Sequence, residues 1–217
     1  GLVWKKETLQ RLADFCFDRH LLVVSDEIHA DMPLFGHQHM PFASVSANAA
    51  AISITFQAPT KTFNIAGIVS AYAIVPNENI RKMFYDWLAV NELDEPHLFA
   101  PIATIAAFRE GEAWRKQMIH YVERNILFVE AFCQQHMPAI KPLRPQASFL
   151  IWLDCRALHL SHEELLHLFI DEAHLALNDG EMFGPGGEGY MRLNVGCPRQ
   201  LVEQALRQLR DAVQHHV

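Results

Sequence analysis

Two short apolar runs, Leu21-Leu22-Val23-Val24 and residues 51–56, each end close to one ionisable residue: Asp26 follows the first and Lys61 the second. An amine and a carboxylate delivered by separate strands are what a pyridoxal phosphate enzyme requires. The amine forms a Schiff base with the cofactor, and the carboxylate keeps the pyridinium nitrogen protonated. Neither residue is diagnostic alone. Lys61 stands in Ala58-Pro59-Thr60-Lys61-Thr62-Phe63-Asn64-Ile65-Ala66-Gly67, among small and β-branched neighbours with no other charge. Partly apolar surroundings lower an amine's proton affinity and favour its nucleophilic form, whereas the plainer alternative is a solvated loop lysine. Asp26 equally suits a helix cap or a metal. His29 either stands beside the ring's phenolic oxygen or is satisfied by neighbouring backbone.

The elements that must position these groups read as helix followed by apolar strand. Between 5 and 20, Leu9, Leu12, Ala13 and Cys16 recur at helical spacing ahead of the first apolar run, the rhythm of a parallel sheet covered on both faces. Ligands of such sheets lie beyond the carboxyl ends of the strands, where Asp26 and Lys61 both fall. Residues 71–75 read as another strand. Ile80, Met83, Phe84, Trp87 and Leu88 mark a helix, broken at Pro96, and Trp114, Met118, Val122, Ile126, Val129 and Cys133 mark a long one that stops at Pro138. Beyond Pro138, Pro142 and Pro145 come a strand at 148–153, a helix opened by a Ser161/Glu164 capping box, a strand at 190–195 and a terminal helix begun at Pro198. The expected fold class is therefore α/β. Residues 1–110 form the C-terminal part of a large domain with a mainly parallel sheet, 111–139 a connecting helix, and 140–217 a small α+β domain. Asp26 arrives before a full βαβ unit could be complete, so the chain reads as entered partway through a domain.

Composition narrows the partners. With 217 residues, half of them hydrophobic and a fifth charged, the chain has the material for one or two cores. Its 18 basic and 25 acidic residues give a formal charge of −7, and the basic ones form no stripe that would track a phosphate backbone, which argues against nucleic acid. No apolar run approaches the roughly 20 residues of a membrane span. Cys16, Cys133, Cys155 and Cys197 are scattered, without a Cys-x-x-Cys pair or a signal-like start, so reduced thiols in the cytoplasm are expected. His37 and His39 could flank a metal but have no evident third ligand, and no metal is expected. Gly184-Pro185-Gly186-Gly187-Glu188-Gly189 lacks the Gly-Lys-Ser/Thr ending of a phosphate loop and reads as a turn.

Three segments carry a specific resemblance: Ser25-Asp26-Glu27-Ile28-His29-Ala30-Asp31, then Gly36-His37-Gln38-His39-Met40-Pro41-Phe42-Ala43-Ser44, then residues 58–67 quoted above. They resemble the signature of fold-type-I pyridoxal phosphate enzymes of the class I/II aminotransferase superfamily, and within it the cystathionine β-lyase (C–S lyase) branch. The resemblance implies pyridoxal 5'-phosphate as cofactor, Lys61 as the Schiff-base lysine, Asp26 as the pyridinium partner, His29 beside the ring oxygen, and Thr60 as the nearby hydroxyl. It also makes Arg192, in Tyr190-Met191-Arg192-Leu193-Asn194-Val195, the clamp for the substrate α-carboxylate. On sequence alone a surface strand arginine is the plainer reading of Arg192. The implied reaction is α,β-elimination from sulfur-containing amino acids, with two alternatives, transamination and a truncated, non-catalytic fragment as the chain stands, and the implied assembly is a homodimer. Ala58 and Val69 stand where many aminotransferases carry a hydroxyl and an arginine, a departure shared with the C–S lyase branch. The segments that in relatives cradle the phosphate and stack on the ring precede the region matching Gly1. The chain thus resembles the C-terminal part of such an enzyme, and weak or no cofactor retention is expected of these residues by themselves.

Overall fold

In the computed structural model, which describes residues 1–214, the first apolar run becomes β1 (Val23–Asp26). The helix before it, α1 (Lys6–Asp18), turns Leu9 and Ala13 into a small core with Phe42, Val45 and Ala49, and Val23 packs against this cluster. Val24, on the other face, is 61% exposed, although a continuous apolar run is expected to be buried on both faces. Such a run marks a strand that tolerates two covers, and α1 with α2 (Ala47–Ala51) supplies one. β2 (Ser53–Gln57) lies parallel to β1 with Asp26 level with Phe56. β3 (Tyr72–Ile74) then pairs antiparallel with β2, giving the order β1-β2-β3.

The chain between β1 and α2 is irregular, and one acid holds it. Glu27, 6% exposed, accepts hydrogen bonds from His39 Nε2 (2.7 Å), the Phe42 amide (2.9 Å) and Ser25 Oγ (3.0 Å). Burial pushes its carboxyl up, but the His39, Phe42 and Ser25 bonds together outweigh burial and hold it below the ordinary value of 4.5. His39 is thereby engaged with Glu27.

After β2 the chain makes a single turn, α3 (Pro59–Thr62), with Pro59 in the position proline tolerates. α4 (Glu78–Val90) follows, its first amides accepted by Asn77 Oδ1. The sequence does not announce α5 (Ala100–Glu110), because Pro96 and Pro101 read as breaks, yet Pro101 sits in the helix's first turn where its missing N–H costs nothing. α6 (Glu112–His136) is the expected long helix. Gly111 between them allows a close approach, since a Cβ there would lie 2.4 Å from both Ala107 O and the Phe63 ring. Phe63 in turn packs edge-on against Phe108 and tilted on Trp114, which fixes the exit from α3.

The chain divides into two compact units, Leu2–Met118 and the residues from Ile119 onward together with Gly1. The second unit contains an antiparallel sheet of β4 (Lys141–Leu143), β5 (Leu150–Asp154), β6 (Asn178–Asp179) and β7 (Tyr190–Asn194), in the order β4-β5-β7-β6. Alternation decides its faces. Ile151, Leu153, Met191 and Leu193 are buried, as are the apolar stripes of α6 (Val122, Ile126, Val129) and of α8 (Arg199–Gln214; Val202, Leu206, Leu209). The opposite face carries a straight row of register partners, Leu143, Trp152, Arg192 and Asn178. Between β5 and β6 lies α7 (His162–His167), opened by the Ser161/Glu164 capping box with both reciprocal bonds present.

The corner between β7 and α8 is tied to α6 by Asn125, which is 0% exposed. Its amide donates to Val195 O (2.9 Å) and Cys197 O (3.0 Å), and its Oδ1 accepts from Arg199 Nε (2.8 Å). No helix among the described residues is long and apolar enough to cross a membrane.

Two stability predictions arise from these buried polar groups. Asn125→Ala strands two carbonyls without donors, and urea unfolding is expected to show a loss of about 2 kcal/mol, whereas exposed Gln134→Ala should change little. Glu27 has a folded-state value below 4.5, so its contribution is complete above that value and drains away as pH falls through the lower one. Glu27→Gln should lower stability near neutrality by about 1–3 kcal/mol and flatten the acid-side loss; urea midpoints measured across the acid range check both.

Candidate active site

Parallel pairing puts the ends of β1 and β2 together, and the two sequence-predicted groups leave from those ends. Asp26 is the last residue of β1, and Lys61 lies in α3, just beyond β2. Within α3, Thr60 and Thr62 are buried while Lys61 is exposed. The apolar setting inferred from its neighbours is therefore not what surrounds Lys61. Successive side chains on a helix diverge by ~100°, and burying Thr60 and Thr62 leaves the lysine outward. Asp26 is exposed too, and its Oδ1 accepts the Ile28 amide hydrogen at 3.2 Å, so it caps its own turn.

His29 connects the two. Its ring is half-buried, and burial pushes its imidazole below the ordinary 6.5; the Lys61 ammonium acts in the same direction, and the Asp26 carboxylate opposes them. An imidazole that senses both charges lies in the field of each. Lys61, Asp26 and His29 thus occupy one end of one sheet.

Around them is a polar layer that sequence reasoning did not find. Arg115 grips Glu112 through Nε (2.7 Å) and Nη2 (2.9 Å) and donates from Nη1 to Asp31 O (2.8 Å). Burial raises the Asp31 carboxyl against the opposing pull of Arg115. Tyr72 donates its hydroxyl to Gln57 Oε1 (2.7 Å), and burial, then the Asp31 charge, raises its own value. The signal for Glu27 was present in sequence as an acid immediately after Asp26, but nothing in spacing linked it to His39 or to the Phe42 amide.

Arg192 is placed by β7, in the second unit. Its Nη2 donates to Asn178 Oδ1 (2.8 Å), its guanidinium carbon lies 4.6 Å from the centre of the Phe183 ring, and its Nε is buried without a hydrogen-bond partner. The guanidinium is thereby held in one orientation on the face of the sheet. Phe183 and Asn178 were not anticipated, since the short β6 and the turn that bears Phe183 leave no periodic pattern.

The remaining candidates resolve simply. The glycine-rich segment is a turn, with Gly184, Gly186 and Gly189 all at positive φ. Among the described residues no cluster of three or more His, Cys, Asp or Glu could hold a metal. Burial pushes the Cys133 and Cys155 thiols up to about 12, which keeps them unreactive.

The chain is similar over nearly its whole length to known proteins. The chain is 42% identical over 213 residues to cystathionine β-lyase PatB of Bacillus subtilis, covering 98% of this chain and 55% of that protein. It is 31% identical to protein MalY of Escherichia coli, over 98% of this chain and 54% of that one. The crystal structure of cystalysin from Treponema denticola, which contains pyridoxal 5'-phosphate, superposes with a TM-score of 0.95 at 32% identity, over 99% of this chain and 55% of cystalysin. The chain spans about half the length of the curated relatives it matches. The model for aminotransferase class I and II matches residues 1–209, a span that takes in the Lys61 turn, the Asp26 strand and the Arg192 strand alike, and the chain belongs to that family.

Proposed function

We propose that this chain carries the lysine, the ring-nitrogen acid and the carboxylate clamp of a pyridoxal phosphate-dependent carbon–sulfur β-lyase. The enzyme would convert sulfur-containing amino acids such as cystathionine to pyruvate, ammonia and a thiol. The observation that carries this reading is the parallel pairing of β1 and β2, which puts Asp26 and the turn bearing Lys61 at the same end of one sheet. The relationship to PatB supports the lyase branch, and Val69 in place of an arginine accords with it. A single aminotransferase-like alternative shares every group named here and differs in the product.

The residues fit the cofactor: an amine and a carboxylate leave neighbouring strand ends, with an imidazole in the field of both. Bound there, pyridoxal phosphate supplies an electron-withdrawing ring. Lys61 would hold it, and its free Nζ would take the substrate Cα proton. Asp26 would hold the ring nitrogen in its protonated form, His29 would stand beside the ring oxygen, and Thr60 would offer a hydroxyl to the phosphate. By family resemblance Arg192 would take the α-carboxylate and so set which Cα bond is broken. We assign residues 1–110 to the cofactor-binding domain, 111–139 to a connecting helix and 140–217 to the small domain. By family resemblance the enzyme works as a homodimer, and its free cysteines suit the cytoplasm.

The shared field is measurable. In NMR titrations, Lys61→Met should raise the His29 pKa and Asp26→Asn should lower it further, since each removes the charge acting in the named direction. If neither substitution moved it, the three groups would not form one site. Borohydride reduction after incubation with pyridoxal phosphate traps even transient occupancy, and peptide mapping should find the pyridoxyl label on Lys61, absent in Lys61→Ala. A label elsewhere overturns the assignment, and keto acid formed only when an amino acceptor is supplied overturns elimination in favour of transamination.

A further inference from the structure

Lys61 hangs from the sheet by a short path that is fixed at almost every step. Ala58 is extended (φ −157°, ψ 148°), as a residue before proline prefers, Pro59 locks its own φ, and Thr60 and Thr62 are buried. The remaining step is Gln57. It lies one residue beyond the last pair of the β1–β2 ladder, Asp26 with Phe56, and has Tyr72 of β3 as its strand partner. Tyr72 holds it a second time through its hydroxyl, which donates to Gln57 Oε1 at 2.7 Å. The Tyr72 ring also stands edge-on to Phe108 at 6.2 Å, and Phe108 stands edge-on at 5.6 Å to Phe63, two residues past Lys61. One side chain thus meets the entry to the lysine turn directly and its exit through a single ring. Burial, then the Asp31 charge, push the phenol above its ordinary 10, so it remains a donor.

We propose that Tyr72 is a positioning residue for the Lys61 amine and acts through the bond from its hydroxyl to Gln57. A phenylalanine would keep the ring contact with Phe108, so packing needs only the ring. What the hydroxyl adds is a directed bond to the residue from which the turn starts. Lys61 is exposed, so its direction is set by the backbone of α3 and not by packing of its own side chain. Loosening the entry at Gln57 therefore lets the amine drift, although Phe63 still anchors the exit. That Lys61 is the reactive amine rests on the function proposed above; the hold on its turn does not.

NMR titration of His29 in the full chain reads the position of the amine without cofactor, since burial and then the Lys61 ammonium depress that imidazole. Tyr72→Phe should raise the His29 pKa in the direction of Lys61→Met. Gln57→Leu should raise it equally, and the two together should do no more than either. With Lys61→Met already in place, Tyr72→Phe should leave His29 unmoved, because the charge whose position it alters is gone. After incubation with pyridoxal phosphate and borohydride, the label on Lys61 relative to exposed Lys5 and Lys141 should fall about threefold to tenfold in each single variant, the worth of one hydrogen bond. An unmoved His29 in Tyr72→Phe, additive effects of the two substitutions, a shift that survives Lys61→Met, or a label ratio unchanged from that of a labelled wild type would each overturn the proposal. Should His29 respond as expected while Lys61 takes no label even in the wild type, the hold on the turn stands and the catalytic reading falls.

Discussion

The parallel register between β1 and β2 is the constraint on which the candidate site depends. Asp26 and the Lys61 turn come from segments far apart in sequence, and only the level pairing of Asp26 with Phe56 brings them to a common end. A slip by one residue would turn Asp26 to the other face and carry Val23 out of the core formed by Leu9, Ala13, Phe42, Val45 and Ala49. The apolar packing of α1 and α2 therefore enforces the placement of a charge that takes no part in that packing.

Buried polar atoms serve opposite ends in this chain. Glu27 and Asn125 are buried and amply partnered, and they tie irregular backbone to regular elements. Their networks carry the order of the loop after β1 and the corner after β7. Arg192 is oriented by Asn178 and Phe183 yet keeps a buried Nε without an acceptor. A fully satisfied network stabilises what it holds, whereas an incomplete one costs stability until something binds.

Much of this was legible in the sequence because it depends on local pattern. Apolar periodicity marked α1, α6, β5 and β7, the Ser161/Glu164 spacing marked the cap of α7, and the position of Lys61 and Asp26 beyond apolar runs marked the end of the sheet where they lie. What escaped depends on contacts between distant segments or on elements too short to have a period. α5 was hidden by prolines that stand harmlessly in or before its first turn, and α3 is too short to show a face, so the outward setting of Lys61 could not be read. Glu27 meets His39 and Phe42 only because the chain folds back. The row from Leu143 to Asn178 exists only through strand pairing.

The meeting of Gly180 and Gly187, where each backbone occupies the space a Cβ would need, separates the frame of the aromatic turn from its lining. The frame requires two residues without side chains and little else, while Phe183 projects from it with roughly half its surface open. Exchange of Phe183 for a smaller, larger or polar residue would thus change the surface that the turn presents while the Gly180–Gly187 contact stays in place.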